Sequence, residues 1–244
     1  EGAELGPVED NLVHRAARAF YATAGIEPAV SVRLRKEIPS GAGLGGGSSD
    51  AATTLHALNQ LHGGPLDRDT LLEIAAGLGS DVPFFLCGSP LALAWGRGER
   101  LMPLTPLPRA PVLVVVPGFG FPTPEAYREL DAFRTQSVGT SAPLASAGAA
   151  PAARLVRRDE LRTWEGVATL AHNDFEAPTY ARYPELAELK ALLLDAGASV
   201  ALLSGSGSAL FAAFPDEKER DDAASALHAH GTELRLIPTS TAVG

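Results

Sequence analysis

Residues 36–52 of this 244-residue chain read Lys-Glu-Ile-Pro-Ser-Gly-Ala-Gly-Leu-Gly-Gly-Gly-Ser-Ser-Asp-Ala-Ala. Glycines at 41, 43, 45, 46 and 47 free the backbone for positive φ and let a ligand come close. Ser48 or Ser49 is placed to cap a following helix, with Asp50 in its first turn. Such a loop aims unpaired N–H groups and the positive end of a helix at an anion, most often phosphate. The chemistry this implies is nucleotide handling. A flexible Gly/Ser linker is the plainer alternative, but the flanks argue against it. Val30, Val32 and Leu34 alternate with polar residues as in a strand, while Ala51, Leu55 and Leu58 share one helical face. No Gly-Lys-Ser/Thr closes the run, so it is not a Walker loop. A Gly-x-Gly-x-x-Gly spans Gly41 to Gly46, but no acidic residue ends a following strand as a dinucleotide fold needs.

Asp81 is the candidate acid or base. It stands between a helix end and Pro83, beside Val82, Phe84 and Phe85. A carboxylate in such surroundings is expected to be desolvated or held by donors. A helix cap weighs about equally on sequence alone. The glycine loop nearby tips the choice, because phosphoryl transfer needs a group to position or deprotonate the attacking hydroxyl. Ser204-Gly205-Ser206-Gly207-Ser208 is a second small-residue turn, between two strand patterns. Close approach to a ligand explains five such residues better than a plain hairpin does. Thr123 can cap a helix with Pro124 at its first position, which places Tyr127 on the first turn; core packing is the preferred reading of that ring by itself. The histidines, at 14, 56, 62, 172, 228 and 230, show no metal-ligand spacing and are assigned to surface or packing. No Ser-His-Asp set follows from spacing.

These residues need elements to hold them. Residues 10–24 form an expected helix capped by Asp10 or Asn11 and ended by Gly25. A strand at 30–36, a helix at 49–61, a break at Gly63-Gly64-Pro65 and a helix from Asp67 to about Gly77 follow. Residues 91–95 and 99–104 form a hairpin around Gly96-Arg97-Gly98. A second unit begins near Pro108. Its apolar run from Val112 to Val116 is a buried strand. Residues 136–153, rich in Ser, Ala, Gly and Pro, are expected to form a mobile surface loop. A helix at 184–196 is followed by strand, tight turn, strand, helix and strand to residue 237, which predicts an α+β sandwich.

Composition narrows the partners. The net charge is −9 with no Lys/Arg cluster, which argues against nucleic acid or an anionic membrane. The single cysteine, Cys87, excludes a disulfide framework and a thiolate metal site and fits a reducing compartment. No apolar run reaches the length of a membrane span, and the expectation is a cytoplasmic protein.

Taken together, these segments resemble the GHMP kinase superfamily. Gly43-Leu44-Gly45-Gly46-Gly47-Ser48-Ser49 matches its phosphate loop, and 204–208 its C-terminal glycine turn. Asp10-Asn11-Leu12-Val13, the segment 79–85, Asn173-Asp174-Phe175-Glu176 and the segment 122–127 match as well, so the resemblance covers nearly the whole chain. It implies an α+β, two-domain GHMP kinase fold. The first domain (1–107) would be a ribosomal-protein-S5-like ATP domain, and the second (108–244) a ferredoxin-like α/β sandwich. It implies ATP with Mg2+, though no residue matches a dedicated metal ligand. Gly41 and the residues from Gly43 to Ser49 would cradle ATP phosphates, with Asn11 and Lys36 near the adenine. Asp81 matches the catalytic aspartate. Tyr127 falls where an aromatic stacks on cytosine, beside Thr123, and Gly205, Ser206 and Gly207 would approach the transferred phosphate. The implied acceptor is the 2-hydroxyl of a small molecule, cytidyl-diphospho-methylerythritol, in non-mevalonate isoprenoid precursor synthesis. Another alcohol substrate, or a catalytically silent nucleotide-binding fragment, is the alternative. Oligomeric state does not follow from the sequence.

The chain departs from the family at its start. A strand bearing Lys-x-Asn-Leu, whose lysine works with the aspartate, and a following Asp-Gly-Tyr-His segment both precede Glu1 in the family's pattern. The expectation is a truncated first domain, an unpaired sheet edge and little or no activity for the chain as it stands.

Overall fold

Helix formation starts where the sequence supplies a cap. Asn11 Oδ1 accepts the Val13 N–H at 2.9 Å and opens α1 (Leu12–Ala24). Gly25 closes it in the left-handed region, with its N–H bonded to Tyr21 O. The computed structural model describes residues 6–139, 156–229 and 233–242; the part of the expected surface loop from 140 to 153 lies outside them. The chain divides into two units. One holds the residues up to Ser40 and Gly45–Pro106, the other Gly41–Leu44 and Leu107–Val243.

The first unit packs α1 against α2 (Gly46–Leu61) and α3 (Arg68–Leu78), and α4 (Val82–Leu86) against α2 and α3. Ala16, Phe20, Ala51, Leu55, Ala75 and Val82 form its core. Burying a side chain such as Phe20 or Leu55 stabilises by about 1.5–3 kcal/mol, which outweighs any helix propensity here. Asp67 caps α3, its side chain accepting the Thr70 N–H at 2.9 Å. The hairpin pairs β1 (Ala92–Trp95) with β2 (Arg100–Pro103), Trp95 opposite Arg100, as the Gly-Arg-Gly turn predicts.

Three expectations need correction. Residues 30–36 join no ladder among the described residues. Alternation alone does not make a strand; a neighbour must take its N–H and C=O groups. Val30 and Val32 are 37% and 52% exposed, and with Leu34, Val13, Ala17 and Tyr21 they border an apolar hollow of 490 Å³. Helix α2 starts at Gly46, not at Ser49, and neither Ser48 nor Ser49 is its cap. Gly45, left-handed at φ 65°, takes the N-cap position, so Asp50 falls beyond the first turn. Residues 136–139 belong to helix rather than to the expected loop.

The second unit is built on β3 (Pro111–Pro117), the buried strand read from its apolar run. Helices α5 (Thr123–Gly139), α6 (Trp164–Leu170), α7 (Glu176–Arg182) and α8 (Pro184–Asp195) precede β4 (Val200–Leu203) and β5 (Leu210–Ala213); α9 (Glu217–Ala229) and β6 (Leu234–Ser240) follow. The sheet order is β4-β5-β3-β6, with every pairing antiparallel. Leu113 and Val115 face a core with Leu186, Leu189 and Leu193 of α8 and Leu227 of α9. On the other face Val112 and Ala213 pack with Trp164 of α6, whose Nε1 donates to Pro108 O at 2.8 Å. Both faces of β3 are covered, which is why its sequence is continuously apolar instead of alternating. The architecture is the predicted α+β sandwich.

Candidate active site

The glycine loop contributes to both units. On the first-unit side, the first intrahelical bond of α2 is Ser49 N–H to Gly45 O at 2.9 Å. The N–H groups of Gly46, Gly47 and Ser48 precede it and have no partner within the helix. A Cβ on Gly46 would stand 2.9 Å from Ile38 Cγ2, so only glycine lets the segment before the loop lie this close. Lys36, whose side chain is 11% exposed, donates from Nζ to Asp50 Oδ2 at 2.5 Å. Its cation therefore sits beside the opening turns of α2. Asn11 spends its side-chain oxygen on the α1 cap and lines the apolar hollow.

Asp81 is the N-cap residue of α4, but its side chain makes no capping bond. Val82 and Pro83 turn into the core while the aspartate is exposed. The expected desolvation or clamp of donors is not found, because apolar sequence neighbours need not be spatial neighbours at a helix start. A Cβ on Gly98 would lie 3.8 Å from Asp81 Oδ1. The β1–β2 turn thus runs close beside a carboxylate that is open to accept a proton.

In the second unit, Gly43 is seated on the 204–208 turn. It lies at φ +74°, and a Cβ there would be 1.9 Å from Ser204 O and 2.9 Å from Gly207 N. Ser204 Oγ donates to Gly43 O at 3.0 Å, and Ala209 N–H donates to Ala42 O at 3.0 Å. Ala42 and Leu44 pack with Val116 and Ala209. The turn is gripped elsewhere as well. Thr123 Oγ1 and Ser206 Oγ are 3.2 Å apart, and Ser208 Oγ donates to Phe119 O at 2.6 Å. Gly207 N–H donates to Ser204 O, whereas the N–H groups of Gly205 and Ser206 make no hydrogen bond among the described residues. The turn therefore presents donors on a rigid frame, which suits an anion. Tyr127 is 55% exposed, and its ring meets Phe175 edge-on at 5.0 Å between centroids. It is not the core residue that composition favoured. Gly41 lies with its Cβ position 3.3 Å from Phe121 O.

Spacing missed the residues behind the turn. Asn173 Nδ2 donates to Leu203 O at 2.9 Å and to Gly205 O at 2.8 Å. Glu176 Oε1 accepts the Leu203 N–H and the Tyr180 hydroxyl, each at 3.0 Å, and Oε2 pairs with Lys190 at 2.7 Å. Their only signal in the sequence was the Asn-Asp-Phe-Glu run, which carries no chemistry until it is folded against the turn. Burial, and then the Glu176 carboxylate, push the Tyr180 hydroxyl well above its ordinary 10.0. Because the folded value is the higher one, this contribution to stability is complete below about pH 10 and is lost as pH rises beyond it. Compared with Tyr180→Phe, an ultraviolet titration of the folded protein is expected to show no ionisation of Tyr180 before global alkaline unfolding. A Tyr180 tyrosinate in the folded state would contradict the burial of this hydroxyl. Of the histidines, His62 bonds Tyr21 OH at 3.1 Å and His172 pairs with Asp174 at 2.9 Å. His14 Nδ1 is buried without a hydrogen-bond partner among the described residues.

The sequence pattern of the GHMP kinases N terminal domain matches residues 11–89, and that of the GHMP kinases C terminal domain residues 152–233. The 4-diphosphocytidyl-2-C-methyl-D-erythritol kinase of Pelotomaculum thermopropionicum is 43% identical over 86% of this chain and 69% of its own length. The chain belongs to the GHMP kinase family. A kinase of the same name from Solibacter usitatus is 43% identical over 86% of this chain, which spans 63% of that protein. A crystal structure of 4-(cytidine 5'-diphospho)-2C-methyl-D-erythritol kinase is 37% identical and superposes with a TM-score of 0.76, covering 100% of this chain and 81% of that one. This GHMP kinase is accordingly an ATP-dependent small-molecule phosphotransferase. Among its described residues no helix is long and apolar enough to cross a membrane. Nor does any group of three His, Cys, Asp or Glu side chains converge as a metal site there. Asp50 is tied to Lys36 and Asp81 stands alone, so the donor set does not fit a resident magnesium ion.

Proposed function

We propose that this kinase transfers the γ-phosphoryl group of ATP to the 2-hydroxyl of 4-diphosphocytidyl-2-C-methyl-D-erythritol, a step of non-mevalonate isoprenoid precursor synthesis. The observation that carries it is the seating of Gly43 on the 204–208 turn, two glycine segments that both present backbone to an anion. The likeness to kinases named for that substrate selects the acceptor. The loop residues Gly41, Gly43, Leu44, Gly45, Gly46, Gly47, Ser48 and Ser49 hold the ATP phosphates. The free N–H groups at the start of α2 supply the donors. Asn11 and Lys36 lie toward the nucleoside end. Tyr127 stacks on cytosine with Thr123 beside it, and Gly205, Ser206 and Gly207 approach the transferred phosphate.

Asp81 accepts the hydroxyl proton as the hydroxyl oxygen bonds to the γ-phosphorus and the bond to the β-phosphate oxygen breaks, releasing ADP. Its exposed, unbonded carboxylate is ready for that task. Positioning and fixed backbone dipoles supply most of the rate. Magnesium travels with ATP, and no step here is assigned to it. The enzyme works on soluble small molecules in the cytoplasm.

The test is ADP release with ATP and a panel of cytidyl-diphospho-methylerythritol, homoserine, mevalonate and galactose. Turnover confined to the first is expected. Turnover of another member of the panel contradicts the proposed substrate.

A further inference from the structure

The Asn173-Asp174-Phe175-Glu176 segment has no part in the mechanism above, yet it is wired to the turn that mechanism uses. The Asn173 carboxamide makes three of its four possible hydrogen bonds. Its two N–H groups go to Leu203 O and Gly205 O, and its Oδ1 accepts the Phe175 N–H at 3.0 Å. Its backbone oxygen accepts the Glu176 N–H at 3.0 Å, and Glu176 in turn accepts the Leu203 N–H. Leu203 is thus held through its N–H by one residue of the segment and through its C=O by another. The second carbonyl, of Gly205, belongs to the turn itself. Gly205 is held from the other side too, because a Cβ on it would stand 3.1 Å from Gly43 O. Asn173, the turn and Gly43 are stacked in that order.

We propose that Asn173 is a positioning residue for phosphoryl transfer. By fixing the Gly205 carbonyl, it sets the direction of the Ser206 N–H in the same peptide plane, and with the Leu203 carbonyl it holds the turn on which Gly43 is seated. It touches neither substrate nor ATP. Two carbonyls held by one carboxamide nitrogen fix the Leu203–Ser204 and Gly205–Ser206 peptide planes, since each plane turns as a unit. Two carbonyls demand two donors in one plane, which a carboxamide supplies and a carboxylate does not. The inference rests on the kinase function proposed above.

Two variants and two readouts test it. Asn173→Ala removes both donors. Asn173→Asp keeps the shape but sets a carboxylate against two carbonyl oxygens. Both are expected to lower kcat with the cytidyl substrate by about tenfold to a hundredfold, the scale of a small misplacement of reacting groups, with KM for ATP within about twofold. Protonation returns one donor to the aspartate variant alone. Its activity relative to the unmodified protein therefore rises as pH falls from about 8 to about 6, and that of Asn173→Ala does not. Amide hydrogen exchange at residues 204–208 is expected to quicken in both variants while α2 exchanges as before. Unchanged exchange overturns the brace, whether or not the protein turns over this substrate. Faster exchange with unmodified kcat overturns the positioning role while leaving the proposed function intact. An unmodified protein that turns over another member of the panel instead contradicts the proposed function, and the positioning role with it.

Discussion

Asp81→Asn is expected to cut turnover by about 10²- to 10⁴-fold, the usual contribution of a positioned acid or base, with ATP affinity nearly unchanged. Its position makes the result decisive. The side chain is exposed and makes no capping bond. Substitutions at such sites shift stability by about 0.5 kcal/mol or less, so a folding defect is not available to explain lost activity. A residue that only started a helix would tolerate asparagine, which is an equally good cap. Turnover by Asp81→Asn close to that of the unmodified protein would therefore remove Asp81 from the mechanism. Rates, ATP binding and a thermal melt on the same preparation are the measurements.

Gly43→Ala is expected to abolish activity by a different route. The new methyl would lie 1.9 Å from Ser204 O, a carbonyl already accepting the Gly207 N–H at 2.9 Å. Backbone cannot yield as a side-chain end can, so either the loop lifts from the turn or the turn opens. The φ of +74° adds a cost of about 1–2 kcal/mol for any residue with a Cβ. Turnover should fall by about a hundredfold or more, because both glycine segments lose their common register. The contrast is Gly77→Ala. Gly77 lies in α3 with nothing within 4 Å of its Cβ position, and alanine there should stabilise by about 0.5–1 kcal/mol. Parallel chemical denaturation and ADP-release assays separate the two. A Gly43→Ala protein with unmodified rates would show that the close approach seen here does not matter.

Most of the architecture was legible because its signals are local. Asn11 and Asp67 announced helix starts, Gly25 an end, the Gly-Arg-Gly turn a hairpin and the apolar run of β3 a doubly covered strand. The signals failed where a partner decides. Residues 30–36 alternate like a strand but pair with nothing described, and α6 and α7, seven residues each, are too short to show a period. The start of α2 was placed at the serines because side-chain caps are the commoner device, whereas here a left-handed glycine serves. At the site, the glycines and Asp81 stood out by type. Asn173 and Glu176 did not, since a carboxamide facing two carbonyls about thirty residues away leaves no mark in spacing. The exposure of Asp81 was equally invisible, because Val82, Phe84 and Phe85 describe its sequence and not its surroundings.

The most direct test of the central claim is phosphorus NMR of a reaction containing ATP, magnesium and cytidyl-diphospho-methylerythritol. One new phosphomonoester signal at the 2-hydroxyl is expected, growing in step with ADP and absent with Asp81→Asn. ADP accompanied by free phosphate, or a monoester at another hydroxyl, would contradict it.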